Sequence, residues 1–123
     1  MKKFMAAIVL MILVTVLTVA CDDSSSQGKP IHLSKSNFAQ PSITVSKGSS
    51  INLINDASAL HVIHNGTWVN GAAQSATEHG SPAVNTLAIP ANDSRTVGPF
   101  TVAGTFHFYC SIHKNMNLTV TVT

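Results

Sequence analysis

The chain is poor in charge, in aromatic rings and in cysteine. Of its 123 residues only 10% are charged and 6% aromatic, with one Trp, one Tyr and two Cys. The scarcity of charge matters most for where the charge lies. Two of the seven basic residues, Lys2 and Lys3, stand at the very start of the chain, and without them five basic residues face five acidic ones. A near-neutral domain has no clustered basic face, so nothing supports nucleic-acid binding. No amphipathic stretch is long enough to make a convincing helix. Long apolar runs are confined to Phe4–Ala20, seventeen uncharged residues, short for a spanning helix that needs about 20.

A positive start, a short apolar run and a small residue before Cys21 describe a secretory signal peptide over residues 1–20. Leu17-Thr18-Val19-Ala20-Cys21 resembles a bacterial lipoprotein signal, although Thr18 stands where leucine is usual. That resemblance implies an exported chain lipidated at Cys21 and held at the outer face of the cytoplasmic membrane. A plain signal peptide and an uncleaved anchor helix are the alternatives, and each leaves the remaining chain on the same side. Two cysteines in an exported protein ordinarily suggest a disulfide. With Cys21 lipidated, Cys110 stands alone, and metal ligation is the economical explanation for it. Residues 21–30, polar, small and free of aromatics, read as a flexible tether. Residues 31–123 then form one small domain.

Within that domain the apolar residues alternate in short runs. Ile43 and Val45, Ile51 and Leu53, Phe106 and Phe108, and Leu118, Val120 and Val122 all follow period two among Thr and Val. Breakers separate them, at Lys47-Gly48, Asn55-Asp56, Asn65-Gly66, Pro90 to Asp93, Gly98-Pro99 and Ala103-Gly104. Seven to eight short strands at this spacing predict an all-β, Greek-key antiparallel sandwich or barrel. Asn65 to Val84, rich in Gly, Ala and Ser, reads as an irregular excursion with room for a helical turn. N-x-[ST] matches at Asn65, Asn92 and Asn117 are weak signals behind a bacterial lipoprotein signal.

The chemistry gathers in Phe106-His107-Phe108-Tyr109-Cys110-Ser111-Ile112-His113-Lys114-Asn115-Met116. Strand parity puts Phe106, Phe108 and Cys110 on one side, and His107 and Tyr109 on the other. Met116 shares parity with Leu118, Val120 and Val122. A short loop between two strands therefore presents Cys110, His113 and Met116 at one end of the domain. A thiolate, an imidazole and a thioether form a soft donor set. Zinc and iron–sulfur sites rarely use Met, and calcium and magnesium want oxygen. Two His, one Cys and a weak axial Met are the ligands of a blue-copper electron-transfer site. The second histidine must come from elsewhere. His107 has the wrong parity, His32 begins the first strand, and His79 lies in the irregular segment. His61 and His64 remain; three apart on a strand, they face opposite sides, and position at a loop-to-strand junction favours His61.

The sequence resembles a cupredoxin, a small blue-copper protein of the plastocyanin and amicyanin type. Tyr109-Cys110-Ser111-Ile112-His113 is similar to the family's Y-C-S-P-H, and the spacing to Met116 is the short one seen in amicyanin. Ile54-Asn55-Asp56 followed by Leu60-His61 resembles the strand and first ligand histidine of that family, and Asn37-Phe38 with Pro41 to Gly48 its opening strands. The likeness spans roughly Ile31 to Val122 and is weakest after His64. It implies one type 1 copper per domain, with His61, Cys110 and His113 as equatorial ligands and Met116 as the axial one. It also implies a one-electron carrier rather than an enzyme, with transient redox-protein partners and a monomeric state. His113 would reach the surface through an apolar patch for which Ala59, Leu60, Ile112 and Met116 are the candidates. Two positions depart from the family. Val62 stands where asparagine often ties the two ligand segments together, a task open to Asn55 or Ser58. Ile112 replaces a frequent proline.

Other classes fit less well. A copper chaperone or storage protein is the main alternative, but such sites are methionine-rich, and only Met116 lies beyond the apolar N-terminal run. A multicopper oxidase needs further histidine pairs and more than one such domain. A zinc module has no use for Met116. Trp68 and Tyr109 read as packing residues.

Overall fold

A computed structural model describes residues 28–123; the expected signal peptide, the lipidation site Cys21 and tether residues 22–27 lie outside the described residues. The described residues form nine strands and no helix. They are β1 (Lys29–Leu33), β2 (Ser42–Val45), β3 (Ile51–Asn55), β4 (His61–Val69), β5 (Ala72–Ser75), β6 (Leu87–Ile89), β7 (Ser94–Val97), β8 (Gly104–Cys110) and β9 (Asn117–Val122). Strand β1 thus begins two residues inside the segment expected as tether.

The alternation seen in the sequence becomes a two-layer sandwich. One sheet runs β1-β3-β7, and the other runs β2-β9-β8-β4 and continues to β5, with β6 also paired to β4. Strand β9 buries Leu118, Val120 and Val122 while its threonines stay part-exposed, as period two requires. The inner faces of both sheets meet in a core of Ile31, Leu33, Ile51, Leu53, Phe100, Phe106, Phe108 and Val120. Phe100 packs edge-on to Phe108 with ring centroids 6.1 Å apart, a geometry that matches the ring quadrupoles.

Two details differ from the expectation. The β1–β3 and β2–β9 pairs are parallel, so the sandwich is mixed rather than wholly antiparallel. The strand count is nine rather than seven to eight, because part of the segment after Asn65 is a hairpin. Strand β4 continues to Val69 and turns at Asn70-Gly71 into β5, with Val69 opposite Ala72. Both turn residues have positive φ, 49° and 76°, the signature of a type I′ turn, whose twist suits a two-residue hairpin. No helical turn forms. Strand β5 is exposed at every position, so it carries no alternation for a periodicity argument to find. Gly66 makes the hairpin possible. Its φ is 126°, pairing with β8 ends beside it, and a Cβ there would stand 2.0 Å from the Gln74 carbonyl oxygen.

Candidate metal centre

The end of β8 and the start of β4 bring the predicted donors together. In their antiparallel register Cys110 sits opposite Ile63, so the inward rows of the two strands, Phe106-Phe108-Cys110 and His61-Ile63, share one face. Beyond Cys110 the chain turns back at once. Cys110 donates its amide to the Met116 carbonyl at 3.0 Å, and Met116 donates to the His113 carbonyl at 3.2 Å. Asn115 takes a left-handed φ of 63° to close the turn, a conformation asparagine tolerates better than most residues. The loop thereby holds three candidate ligands within seven residues.

Among the described residues, His61, Cys110 and His113 are the one group of such side chains whose donor atoms all lie within 4.8 Å of one another. The Cys110 Sγ is 3.7 Å from His61 Nδ1 and 3.4 Å from His113 Nδ1. Sulfur and nitrogen ligands bind a first-row metal at about 2.3 and 2.0–2.1 Å, and at trigonal to tetrahedral angles they stand about 3.5–3.8 Å apart. The two sulfur–nitrogen spacings lie within about 0.1 Å of that range, so the residues present fit a single metal ion. Met116 is fully buried immediately before β9, with the parity of the inward row that follows it. Cys110 is likewise buried and, among the described residues, is a free cysteine.

His61 is fully buried, and its outer nitrogen Nε2 has no hydrogen-bond partner. Burial lowers its pKa below the usual histidine value, the neighbouring His113 lowers it further, and the Ser34 backbone pulls the other way. The net effect keeps the imidazole neutral at physiological pH, with a lone pair free for a metal. His64 goes elsewhere. It lies on the outer face of β4, where the Thr86 amide donates to its Nδ1 at 3.2 Å. The same Nδ1 lies 3.2 Å from the Asn85 Oδ1, and Nε2 pairs with the Ser111 hydroxyl at 3.1 Å. His32 pairs with Asp56 and His107 with Glu78 at 2.6 Å, and His79 is exposed; none of the three approaches the cluster.

Asn55 supplies the order that Val62 does not. Fully buried, it donates its amide to the Ala59 carbonyl at 2.8 Å and the Ile89 carbonyl at 2.9 Å, and accepts from the Ala57 amide at 3.0 Å. Ile89 lies opposite His61, so one side chain shapes the loop before that histidine and fixes the strand beside it. Ser58 is exposed. The two ligand-bearing segments are joined directly by the Ser111 amide, which donates to the Val62 carbonyl at 2.9 Å.

At the surface His113 is half-buried, flanked in sequence by Ile112 at 50% exposure, with Leu60 at 45% beside His61. Met116, expected as part of that patch, is buried and drops out of it. Trp68 and Tyr109, read as packing, do pack, with centroids 6.1 Å apart on the outer face. Trp68 also does something the sequence reading missed. Its indole N–H donates to the Cys110 carbonyl at 2.8 Å. No local sequence pattern signals this contact: Trp68 stands in β4 before the Asn70-Gly71 turn, and the Asn117 side chain holds its backbone beside the ligand strand.

A family model described as copper binding proteins, plastocyanin/azurin family, matches residues 30–123. Among solved structures, a reduced-state amicyanin mutant is 23% identical, with a TM-score of 0.59, covering 78% of this chain and 82% of its own. Amicyanin from Paracoccus versutus is 16% identical, with a TM-score of 0.60 and coverage of 82% and 86%. At such identities the likeness speaks for the fold. A comparison with curated proteins finds no match.

Proposed function

This chain belongs to the plastocyanin/azurin family of copper-binding proteins, and from that premise we propose that it is a one-electron carrier with a single type 1 copper site. The observation that supports this is the cluster of His61 Nδ1, Cys110 Sγ and His113 Nδ1, with His61 and Cys110 buried and His113 half-buried, spaced for one metal ion. His61, Cys110 and His113, with Met116 beside them in the loop, would hold the copper. Copper, when bound, supplies a couple between Cu(II) and Cu(I) that moves one electron at a time.

The chain's own residues do the rest. Two paired strands and the closed loop hold the donors in place before any metal arrives, so little has to rearrange on electron uptake. Burial of Cys110, His61 and Met116 excludes water from the site. His113, half-buried, is the route to the surface, and the exposed Leu60 and Ile112 form a small apolar patch for transient redox partners. The pattern of Lys2-Lys3, Phe4–Ala20 and Cys21 supports export and a lipid anchor at the outer face of the cytoplasmic membrane. The carrier is a monomer and not an enzyme.

The test is spectroscopic. Cu(II) added to the protein is expected to produce an intense thiolate-to-copper absorption and the narrow copper hyperfine EPR pattern of a type 1 site, both bleached reversibly by a mild reductant. A colourless protein that takes up only Cu(I) would replace the carrier by the chaperone or storage reading.

A further inference from the structure

One tryptophan side chain reaches the backbone of the cysteine at the centre of the site, and nothing in the ligand set accounts for it. Trp68 Nε1 donates to the Cys110 carbonyl at 2.8 Å across 42 residues of sequence. The contact is not made by an idle surface side chain. The Asn117 amide grips the backbone of Trp68 from both sides, accepting from its N–H at 2.8 Å and donating to its carbonyl at 3.2 Å. Asn117 itself follows Met116 directly and pairs with Tyr109. The tip of the same hairpin lies close to the ligand loop, where a Cβ added on Gly71 would crowd the Lys114 side chain at 2.7 Å. The β4–β5 hairpin thus adjoins the Cys110–Met116 loop at its first residue, at Lys114 and just after its end.

The arrangement has a mechanical consequence. Cys110 is the last residue of β8, where the ladder that directs its side chain ends. A carbonyl held at that point fixes the peptide plane after Cys110, and with it the direction of the Cα–Cβ–Sγ arm. We propose that Trp68 is a positioning residue of the metal centre, holding the Cys110 carbonyl through its indole N–H so that the sulfur meets the metal in one orientation. The inference rests on the copper reading above. It concerns a hydrogen bond to the backbone of a ligand, not a ligand.

Trp68 is the single tryptophan of the chain, which permits a clean deletion of one N–H. Biosynthetic replacement of tryptophan by benzothienylalanine keeps the ring shape and puts sulfur where the N–H was. The full chain made in this way, and separately the Trp68→Phe variant, would be compared with the native protein in three measurements. These are the thiolate-to-copper absorption, the rate of copper release to an excess of chelator, and amide exchange over residues 110–116 in the copper-free state. The expected result is a displaced absorption maximum, release about five- to tenfold faster, and faster exchange in that loop. The fold-change corresponds to one net hydrogen bond lost. An analogue with native spectrum and native release overturns the inference. So does one that melts earlier while spectrum and release stay native, because the hairpin is then ordinary packing. A native protein that stays colourless with Cu(II) overturns the carrier reading itself, and this inference with it.

Discussion

The two segments that supply the candidate ligands are held by different means. The Cys110–Met116 loop carries three of the four donors and is closed by its own backbone, through the Cys110–Met116 and Met116–His113 hydrogen bonds. The segment before His61 carries one donor and owes its shape to a side chain from the preceding strand, Asn55. A contiguous ligand loop brings its geometry with it wherever two adjacent strands pair. A single ligand must be aimed from outside, and a buried amide does the aiming.

The sharpest way to break this comparison is to remove one donor from each segment. Cys110→Ser is expected to abolish the thiolate-to-copper absorption completely while the loop keeps its backbone closure, visible as native-like amide protection in the copper-free protein. His61→Ala should weaken copper binding by more than about 100-fold, since loss of an outer-shell partner alone typically accounts for 10–100-fold. His64→Ala should leave the blue absorption in place, and equal losses in the two histidine variants would refute the assignment of His61 over His64.

Asn55→Ala comes next in size. It strands the Ala59 and Ile89 carbonyls and the Ala57 amide, a loss of about 2–4 kcal/mol in chemical denaturation. The contrast between segments predicts where that loss is felt: amide exchange should quicken around Ala57 to His61 and hardly change over residues 110–116. Uniform loosening of both would mean that the segments are not independently held.

The smallest effect is a pH dependence of the copper-free protein. His61 titrates below the usual histidine value when folded, because of burial and then His113. The unfolded chain therefore binds the proton first, and stability is fully present above about pH 6.5. It declines as pH falls from there toward the lower folded pKa. Denaturant titrations across that range should show the slope in the native protein and a weaker one in His61→Ala.

How much of this was legible follows the same division. The ligand loop could be read residue by residue, because Cys110, His113 and Met116 are close in sequence and strand parity aims two of them inward. The sandwich could be read from period two in the runs that line the core. Asn55 was visible only as one of two candidates, since a buried amide's partners are decided by tertiary approach and not by spacing. The parallel pairs β1–β3 and β2–β9 left no trace, because alternation marks which face is buried and not which neighbour a strand chooses. The β4–β5 hairpin was missed for a different reason. Its second strand, Ala72–Ser75, buries nothing, and its evidence lay in the Asn70-Gly71 turn. Trp68 reads as packing in the sequence, because its second role lies in a tertiary contact with Cys110 42 residues away.

The register of β1 on β3 also sets which way the molecule faces. Lys29 lies beside Ile51 and Leu33 beside Asn55, so β1 climbs toward the His61 end over about 13 Å, four strand steps. Lys29 thus lies at the pole of the sandwich opposite His61. The described chain therefore enters the sandwich, at Gly28, at the pole remote from His61 and His113, which leaves the His113 edge clear of it.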